Sequence, residues 1–350
     1  MEKIKIAIIG VGNCASSLVQ GIEFYKNTEN KNGLINEVIG GYRVSDIEVV
    51  AAFDVDKRKV GKDLSEAIFS EPNCTKKFSD VTHKNVVINK GNILDGVSDS
   101  MKEYFLIDDN QETLNIIEIL KNLKVEIIVC YLPVGSAKAT RFYAECALEA
   151  GAGFINTIPE FICSNKEWIS KFKEKGLPCA GDDIKSQVGA TILHRIITRL
   201  IQDRGFKIDN TYQLNIGGNT DFRNMLDKGR LESKRISKTL AVLSNLDKGE
   251  KISTRIGPSD FVSHLKDNKI CYINIKGTQF GDVPFELDLK LSVEDSPNSA
   301  GCVVDVIRYM KLALDKGVSG NLEEVSAYYF KSPLVQIRED EVKNKLKDLI

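Results

Sequence analysis

The feature that most constrains the fold of this 350-residue chain is a glycine-rich turn between a strand pattern and a helix pattern. The β-branched run 3–9 (KIKIAII) ends at Gly10, and helical spacing follows. Gly10, Gly12 and Ala15 form the pattern G-x-G-x-x-A at this junction. These residues permit a tight turn, close approach of backbone to a pyrophosphate, and close helix–strand packing. The turn favours dinucleotide binding, although packing of a tight βα turn would by itself explain the small residues.

An acidic residue follows the next strand pattern, 47–53 (IEVVAAF). Asp54 at this position would accept hydrogen bonds from ribose hydroxyls and repel a 2′-phosphate, which favours NAD over NADP. The polar stretch 26–46, which we expect to form an inserted loop or flap, explains the long spacing from Gly10. Asp56 is an alternative ribose ligand, and a place in the first turn of a helix would explain Asp54 without any cofactor.

Strand patterns alternate with helix patterns up to about residue 185, which predicts a doubly wound parallel sheet of Rossmann type. Later alternating segments predict a second, largely antiparallel sheet. These segments are 211–217, 270–276 and 285–293. We therefore expect an α/β fold with an NAD-binding domain over 1–185, completed by 299–350. A second domain of α+β type would be inserted over 186–298.

Composition narrows the classes of function. Lys and Arg number 48 against 49 Asp and Glu, a balance that argues against a general nucleic-acid binder. The eight cysteines form no C-x-x-C pair, so a reduced, cytoplasmic protein is the simplest expectation. No apolar run reaches the 18 residues of a membrane span, and the start of the chain lacks a signal-peptide pattern. We expect neither nucleic acid nor membrane as a partner.

Two polar segments carry candidate chemistry. Lys234 and Lys238 in LESKRISK are four residues apart, so on a helix they would share one face, where a bound anion would offset their repulsion. The segment 181–191 (GDDIKSQVGAT) precedes a helix pattern and carries hydroxyls, as anion sites at helix N-termini do. A solvated basic face and ordinary helix capping explain the same patterns, so the residues alone leave both interpretations open.

Nine segments with distinctive sequences are spread over most of the chain, from residue 4 to about 335. They are IGVGNCASSLVQG, AAFDVD, YLPVGS, GDDIKSQVGATILHR, LNIGGNTDF, LESKRISKT, GDVP, DSPNSAG and YFKSPL. Together and in this order they resemble the myo-inositol-1-phosphate synthase family, most closely its shorter bacterial and archaeal form. The resemblance implies an NAD-dependent isomerase that converts D-glucose 6-phosphate to inositol 3-phosphate. Its steps would be oxidation at C5, enolisation at C6, aldol closure onto C1 and re-reduction at C5. It also implies that the inserted domain over 186–298 is the catalytic and oligomerisation domain, with a homotetramer assembled through its sheet.

The resemblance further implies roles for particular residues. The implied catalytic residues are Lys234, Lys238, Lys269, Lys331, Asp183, Asp221 and Asp295. The implied cofactor-binding residues are Gly10, Gly12, Asn13, Cys14, Ala15, Asp54, Pro133, Gly135, Ser136, Asp183, Lys185 and Asp295. The implied contacts to the substrate phosphate are Ser186, Gln187, Asn219, Lys238 and Lys269. Lys266 is an alternative to Lys269, because the two are close in the sequence.

Other interpretations remain open. Members of the family use either a divalent metal or a monovalent cation, and this sequence has no self-evident metal cluster. An NAD-dependent sugar-phosphate dehydrogenase with net hydride transfer would share the glycine turn and Asp54, as would a non-catalytic NAD-binding protein. The presence of the candidate lysines disfavours the non-catalytic protein. Either 26–46 or the stretch after Lys238 is a candidate to close over the active site.

Overall fold

The computed structural model describes residues 3–107, 112–227 and 252–347. Lys234 and Lys238, two of the predicted catalytic lysines, lie outside these described residues. Within the described ranges the chain forms two sheets flanked by helices, in the order β1 to β11 and α1 to α10. The helices are α1 (Asn13–Lys26), α2 (Leu64–Ala67), α3 (Ile116–Asn122), α4 (Ala137–Ala150), α5 (Lys166–Glu174), α6 (Ala190–Asp203), α7 (Thr220–Asn224), α8 (Asp295–Asp315), α9 (Glu323–Tyr329) and α10 (Glu339–Lys347). No helix in these ranges is both long and apolar enough to cross a bilayer.

The first sheet has seven strands, which pair in parallel in the order β11-β6-β5-β4-β1-β2-β3. They are β1 (Ile4–Ile9), β2 (Ile47–Asp54), β3 (Ile88–Lys90), β4 (Ile127–Cys130), β5 (Gly153–Asn156), β6 (Pro178–Gly181) and β11 (Gly320–Asn321). Strands β4, β5 and β6 are buried along their whole length, which explains their continuous apolar sequence. The predicted parallel sheet is confirmed, and its strand order reverses between β1 and β4.

Helices cover both faces of this sheet. One apolar cluster joins it to α1, α8 and α9, through residues such as Leu18, Val303 and Val325. The other cluster joins it to α3, α4 and α5, through residues such as Leu120 and Phe172. The long helix α8 therefore brings the chain back to the first sheet after the second one has formed.

The second sheet has the order β10-β9-β7-β8 and consists of β7 (Lys207–Gly217), β8 (Ser253–Phe261), β9 (Asn268–Thr278) and β10 (Pro284–Glu294). Pairing is antiparallel between β10 and β9 and between β9 and β7, as predicted. Strand β8 differs, because it pairs with β7 in parallel. A parallel pair needs a long crossover, and the chain between residues 217 and 253 provides the length. Helix α6 packs on one face of this sheet, where the core includes Ile208 and Ile273.

The entry and exit of the segment that carries the second sheet are hydrogen-bonded to each other. The backbone nitrogen of Gln187 donates to the Asn298 carbonyl oxygen at 3.0 Å. The Asn298 side chain accepts from the Val188 nitrogen at 3.0 Å and donates to the Val188 oxygen at 2.7 Å. The chain thus leaves the first sheet and returns to it at one place.

The polar stretch 26–46 packs against α8. Arg308 is fully buried and donates to the carbonyl oxygens of Asn36 and Glu37, at 2.8 and 2.9 Å. Asn36 Nδ2 donates in turn to Asp305 at 2.6 Å. The stretch is an insertion, as predicted, and a buried guanidinium fixes part of it to the domain core.

The helix that the sequence predicts at about 56–69 is much shorter in the structure, where only Leu64–Ala67 is helical. The backbone nitrogen of Lys57 donates to the Leu106 oxygen, outside any helix. Asp63 accepts from the nitrogen of Ser65 and so caps the helix start. The chain around Lys57 is therefore bonded to the segment at Leu106, and the cap at Asp63 starts the helix only at Leu64.

A buried histidine joins α6 to the second sheet. His194 is fully buried, with Nε2 2.8 Å from Thr211 Oγ1 and Nδ1 3.2 Å from Gln213 Nε2. The Gln213 amide donates to Nδ1, so Nε2 carries the proton of a neutral ring. Burial lowers the pKa of His194 to about 4, because the charged ring would lose its hydration.

This pKa predicts a pH dependence of stability. Between about pH 4 and 6.5 the unfolded chain binds a proton at His194 that the folded chain does not, so the folded state loses stability as the pH falls. For one proton, the free energy of unfolding changes by about 1.4 kcal/mol per pH unit over this range. We expect His194→Gln to unfold more easily than the unsubstituted chain at pH 7, and the gap in melting temperature to narrow towards pH 4.5. Parallel melting curves over this range would contradict the prediction.

Candidate active site

A cavity lies at the carboxyl ends of the parallel strands, next to the reversal between β1 and β4. Ligands of open α/β sheets bind at such a reversal. Its wall includes residues from the ends of β1, β2, β4, β5 and β6, together with residues of the second sheet and of α7 and α8. The predicted site residues in this wall are Gly10, Gly12, Asn13, Cys14, Asp54, Pro133, Asp183, Ser186, Asn219, Asp221, Lys269, Asp295 and Lys331.

The glycine turn has the geometry that the sequence predicts. Gly10 adopts a φ of +89°, and a Cβ there would lie 2.8 Å from the carbonyl oxygen of Tyr131. Gly12 faces open space, with no atom within 4 Å of the position of a Cβ. Helix α1 begins at Asn13, so its first free N–H groups lie at the cavity wall. This arrangement suits a pyrophosphate.

The Asp54 carboxylate lies beside the glycine turn. Its Oδ2 accepts from the Val11 nitrogen at 2.8 Å, and its Oδ1 accepts from the nitrogens of Val55 and Asp56. The alternative ribose ligand, Asp56, is fully buried, and its carboxylate is paired with Arg58. Of these two carboxylates, only Asp54 lines the cavity.

A lysine–aspartate pair lies on another part of the wall. Lys331 Nζ donates to Asp183 Oδ1 at 2.8 Å and to the Ile184 oxygen at 2.7 Å. The backbone nitrogen of Lys331 also donates to the Asp183 oxygen at 2.8 Å. Two segments 148 residues apart are thereby fixed side by side. Asp183 is only 2% exposed, and this ammonium offsets the cost of burying its carboxylate.

A second pair comes from β9 and α8. Lys269 Nζ lies 2.9 Å from Asp295 Oδ1, at the first residue of α8. Both residues line the cavity, whereas Lys266 is exposed and lies outside its wall. Of the two candidates, Lys269 is therefore the lysine at the site.

The predicted substrate contacts around α7 are also present in the wall. The side-chain oxygen of Asn219 caps α7 by accepting from the nitrogens of Asp221 and Phe222. This cap fixes Asn219 and Asp221 at the cavity, with Asn219 buried.

Asp267 is a buried carboxylate at this site that the sequence patterns did not single out. It accepts from Asn219 Nδ2 at 3.0 Å and from Ser296 Oγ at 2.9 Å. Burial, aided by the nearby charge of Asp295, raises the pKa of Asp267 to about 6. Its only signal in the sequence is a place between two candidate lysines, in KDNK, where an acidic residue is typical of a turn.

Among the predicted site residues that the structure describes, five are absent from the cavity wall: Ala15, Gly135, Ser136, Lys185 and Gln187. Lys185 is buried and donates to the Ala327 oxygen at 2.8 Å and to Glu339 at 3.0 Å. Burial lowers the pKa of Lys185 to about 8. Gln187 Nε2 donates to the Gly33 oxygen at 2.6 Å. The contacts of Lys185 and Gln187 are thus to the protein itself.

The wall contains two buried hydroxyls without a partner among the described residues. They are Tyr131 Oη and Ser299 Oγ. Buried polar atoms are almost always hydrogen-bonded, so these two hydroxyls are exceptions at the site, but both oxygens are closed off from the open cavity and do not themselves mark a ligand. The open space at Gly12 and the free N–H groups at the start of α1 fit a dinucleotide. By contrast, the described residues hold no group of three or more His, Cys, Asp and Glu suited to a metal ion.

The two glycines predict different defects. Gly10→Ala places a Cβ against the Tyr131 oxygen at a left-handed φ, a conformation that alone costs about 1–2 kcal/mol, so we expect a lower melting temperature. Gly12 has a φ of −89°, which alanine adopts, so we expect Gly12→Ala to keep its melting temperature, while its methyl group would obstruct a dinucleotide at the turn. Thermal unfolding measures the melting temperature of both variants, and calorimetric titration with NAD⁺ measures the Kd. Equal losses of melting temperature would contradict it.

Comparison with known proteins agrees with this geometry. The family model for myo-inositol-1-phosphate synthase matches residues 189–296. The chain is 49% identical to a Mycolicibacterium smegmatis protein named inositol-3-phosphate synthase, over 99% of this chain and 98% of that protein. It is 47% identical to the protein of the same name from Corynebacterium glutamicum, over 99% and 98% of the two chains.

A solved structure gives the same result for the fold. A myo-inositol-1-phosphate synthase-related protein from Thermotoga maritima has a TM-score of 0.83 and 25% identity, covering 99% of this chain and 98% of that one. The resemblance drawn from the nine sequence segments is confirmed. The chain belongs to the myo-inositol-1-phosphate synthase family.

Proposed function

We propose that this chain isomerises D-glucose 6-phosphate to 1D-myo-inositol 3-phosphate, with NAD held in the cavity and no net redox change. Membership of the family supports this reaction. The observation that carries it is the convergence of two lysine–aspartate pairs, Lys331 with Asp183 and Lys269 with Asp295, on the cavity that the glycine turn borders.

The residues present fit NAD. Gly12 and the start of α1 would accept the pyrophosphate, and Asp54 would accept hydrogen bonds from the ribose. When bound, NAD would supply the hydride acceptor for the oxidation at C5 and the hydride donor for the later reduction of the same carbon.

The remaining chemistry requires the chain to stabilise negative charge on the sugar. Charge develops on O5 during enolisation and on O1 during aldol closure, and buried ammonium groups stabilise such oxyanions. Lys331 and Lys269 meet this need, since each is kept in place by a carboxylate. Lys234 and Lys238, outside the described residues, complete the proposed set. A lysine or the substrate phosphate would move the protons.

The substrate phosphate would lie near Ser186, Asn219 and Lys269, which share the cavity wall. Gln187, predicted for this role, contacts Gly33 instead in the structure. We therefore propose that the substrate phosphate is bound by Ser186, Asn219, Lys269 and Lys238.

We also propose a cytoplasmic homotetramer. Helix α6 packs on the second sheet with one face and exposes apolar side chains on another, with Ile196 49% and Leu200 57% exposed. These residues are four apart and so lie on one face. Such a stripe beside a sheet suits contact with another subunit.

The reaction is tested by mixing the purified protein with NAD⁺ and glucose 6-phosphate, with and without Mg²⁺, Zn²⁺ or K⁺. Phosphorus and carbon NMR would follow the products, and nicotinamide absorbance would follow NADH. We expect inositol phosphate without accumulation of NADH, and the ion series measures any ion requirement. Stoichiometric NADH would identify a dehydrogenase instead. Bound NAD without turnover would favour the non-catalytic protein.

The role of Lys331 predicts a specific loss. Lys331→Met should lower kcat by about 10²–10³-fold, as loss of an oxyanion-stabilising donor does, while the Kd for NAD⁺ stays within about twofold. Lys121→Met, an exposed lysine on α3, is the matched control and should change neither. Because Lys331→Met removes a cation from beside the buried Asp183, Lys331→Met/Asp183→Asn provides a second test in which both charges of the pair are removed. Retained kcat in both variants would rule out this role.

The α6 stripe predicts the assembly state. Ile196→Asp/Leu200→Asp should reduce the tetramer to a smaller species, because the introduced carboxylates would have to be buried in the contact. Light scattering coupled to gel filtration measures the mass. A tetramer of unchanged stability would exclude this face from the interface.

A further inference from the structure

Lys59 is a buried lysine of the cavity wall, beside the glycine turn, that has no part in the proposed reaction. It is 1% exposed, and its Nζ donates to the Val11 oxygen at 2.8 Å and to Asn73 Oδ1 at 3.0 Å. The same Nζ lies 3.8 Å from Asp54 Oδ2. Lysine is almost never fully buried unless it is paired, so this placement calls for a reason.

The contacts of Lys59 and of its neighbours Asp54 and Asn73 meet at one residue of the turn, Val11. The Val11 nitrogen donates to Asp54, and the Val11 oxygen accepts from Lys59 and from Asn73 Nδ2, the latter at 3.1 Å. Val11 stands between Gly10 and Gly12, two residues with wide conformational freedom. Both polar groups of the central residue are therefore held by side chains from outside the turn.

The charges around Lys59 also form a set. Asp54 and Asp56 favour its charged form, while burial and Arg58 oppose it. Asp56 is paired with Arg58, which leaves Asp54 as the carboxylate that faces the Lys59 ammonium. Burial has the largest effect and lowers the pKa of Lys59, while Asp54 and Asp56 oppose that shift. In its charged form Lys59 places an ammonium 3.8 Å from the carboxylate that the ribose would meet.

We propose that Lys59 is a positioning residue that fixes the glycine turn in its dinucleotide-binding shape and balances the charge of Asp54. This inference rests on the proposed binding of NAD. It has two consequences. Loss of Lys59 weakens NAD binding without changing substrate contacts. Loss of Asp54 with Lys59 retained leaves an ammonium available to a 2′-phosphate, so NADP binding improves.

The first consequence is tested with Lys59→Met, which keeps the length of the side chain and removes the charge. Lys62→Met is the matched control, because Lys62 is exposed and its Nζ contacts only Ser70 among the described residues. Calorimetry on cofactor-free protein measures the Kd for NAD⁺, and KM for glucose 6-phosphate is measured at saturating NAD⁺. We expect Lys59→Met to raise the Kd by about 10–100-fold, equivalent to about 1.4–2.8 kcal/mol, with KM within about twofold.

The outcomes separate this inference from the proposed function. If the unsubstituted chain binds no NAD⁺, the proposed function fails. If it binds NAD⁺ and Lys59→Met binds equally well, the inference on Lys59 is overturned. Should Lys59→Met fail to fold, Asn73→Ala provides the same test, since it removes the second donor to the Val11 oxygen and keeps the charge. We expect a smaller rise in Kd for that variant, and an unchanged Kd would overturn the inference.

The second consequence is tested with Asp54→Ala and Asp54→Ala/Lys59→Met. We expect Asp54→Ala to bind NADP⁺ at least about tenfold more tightly than the unsubstituted chain does, a difference of about 1.4 kcal/mol. The double variant should lose most of this gain, because the ammonium is gone. An equal gain in both variants would show that Lys59 does not act on the 2′-phosphate, and would overturn the specificity role.

Discussion

The whole site depends on one constraint, that a carboxylate removed from water must be given a cation or several hydrogen-bond donors. Four aspartates around the cavity meet it in different ways. Asp183 and Asp295 each have a lysine, whereas Asp267 accepts from an amide and a hydroxyl. Asp54 accepts from three backbone nitrogens and has a lysine 3.8 Å away. Each solution ties together segments that are far apart in sequence, so satisfying the carboxylates also assembles the wall.

Whether a site residue could be predicted from the sequence depends on how far along the chain its partner lies. The glycine turn and Asp54 are local signals, because a strand, a tight turn and a helix follow one another directly and the acidic residue ends the next strand. The parallel sheet was predictable for the same reason, from alternating patterns. The contact between Asp183 and Lys331 is different, since no periodicity relates residues 148 apart. Only the resemblance to a family brought them together before the structure did.

The residues that sequence reasoning placed differently have distant partners. Lys185 belongs to a motif beside the site, but its ammonium contacts Glu339, 154 residues further along. The side-chain direction of Lys185 could not be predicted from strand alternation, because the segment is not a regular strand: Asp183 has a φ of +61°. The stretch 26–46 was recognisable as a polar insertion, but nothing in its own sequence shows that Arg308 holds it.

The contact between Asn298 and the residues at 187–188 has a consequence for how this architecture can change. The segment that carries the second sheet leaves and rejoins the first domain at one hydrogen-bonded place. The length of this segment can therefore change without moving either of its ends. The arrangement is that of a module plugged into a dinucleotide-binding scaffold. The freedom is limited, because the module itself brings Asn219, Asp221 and Lys269 into the cavity wall, and the family model matches this part of the chain. Insertions and deletions are therefore structurally easiest in parts of the module outside the wall.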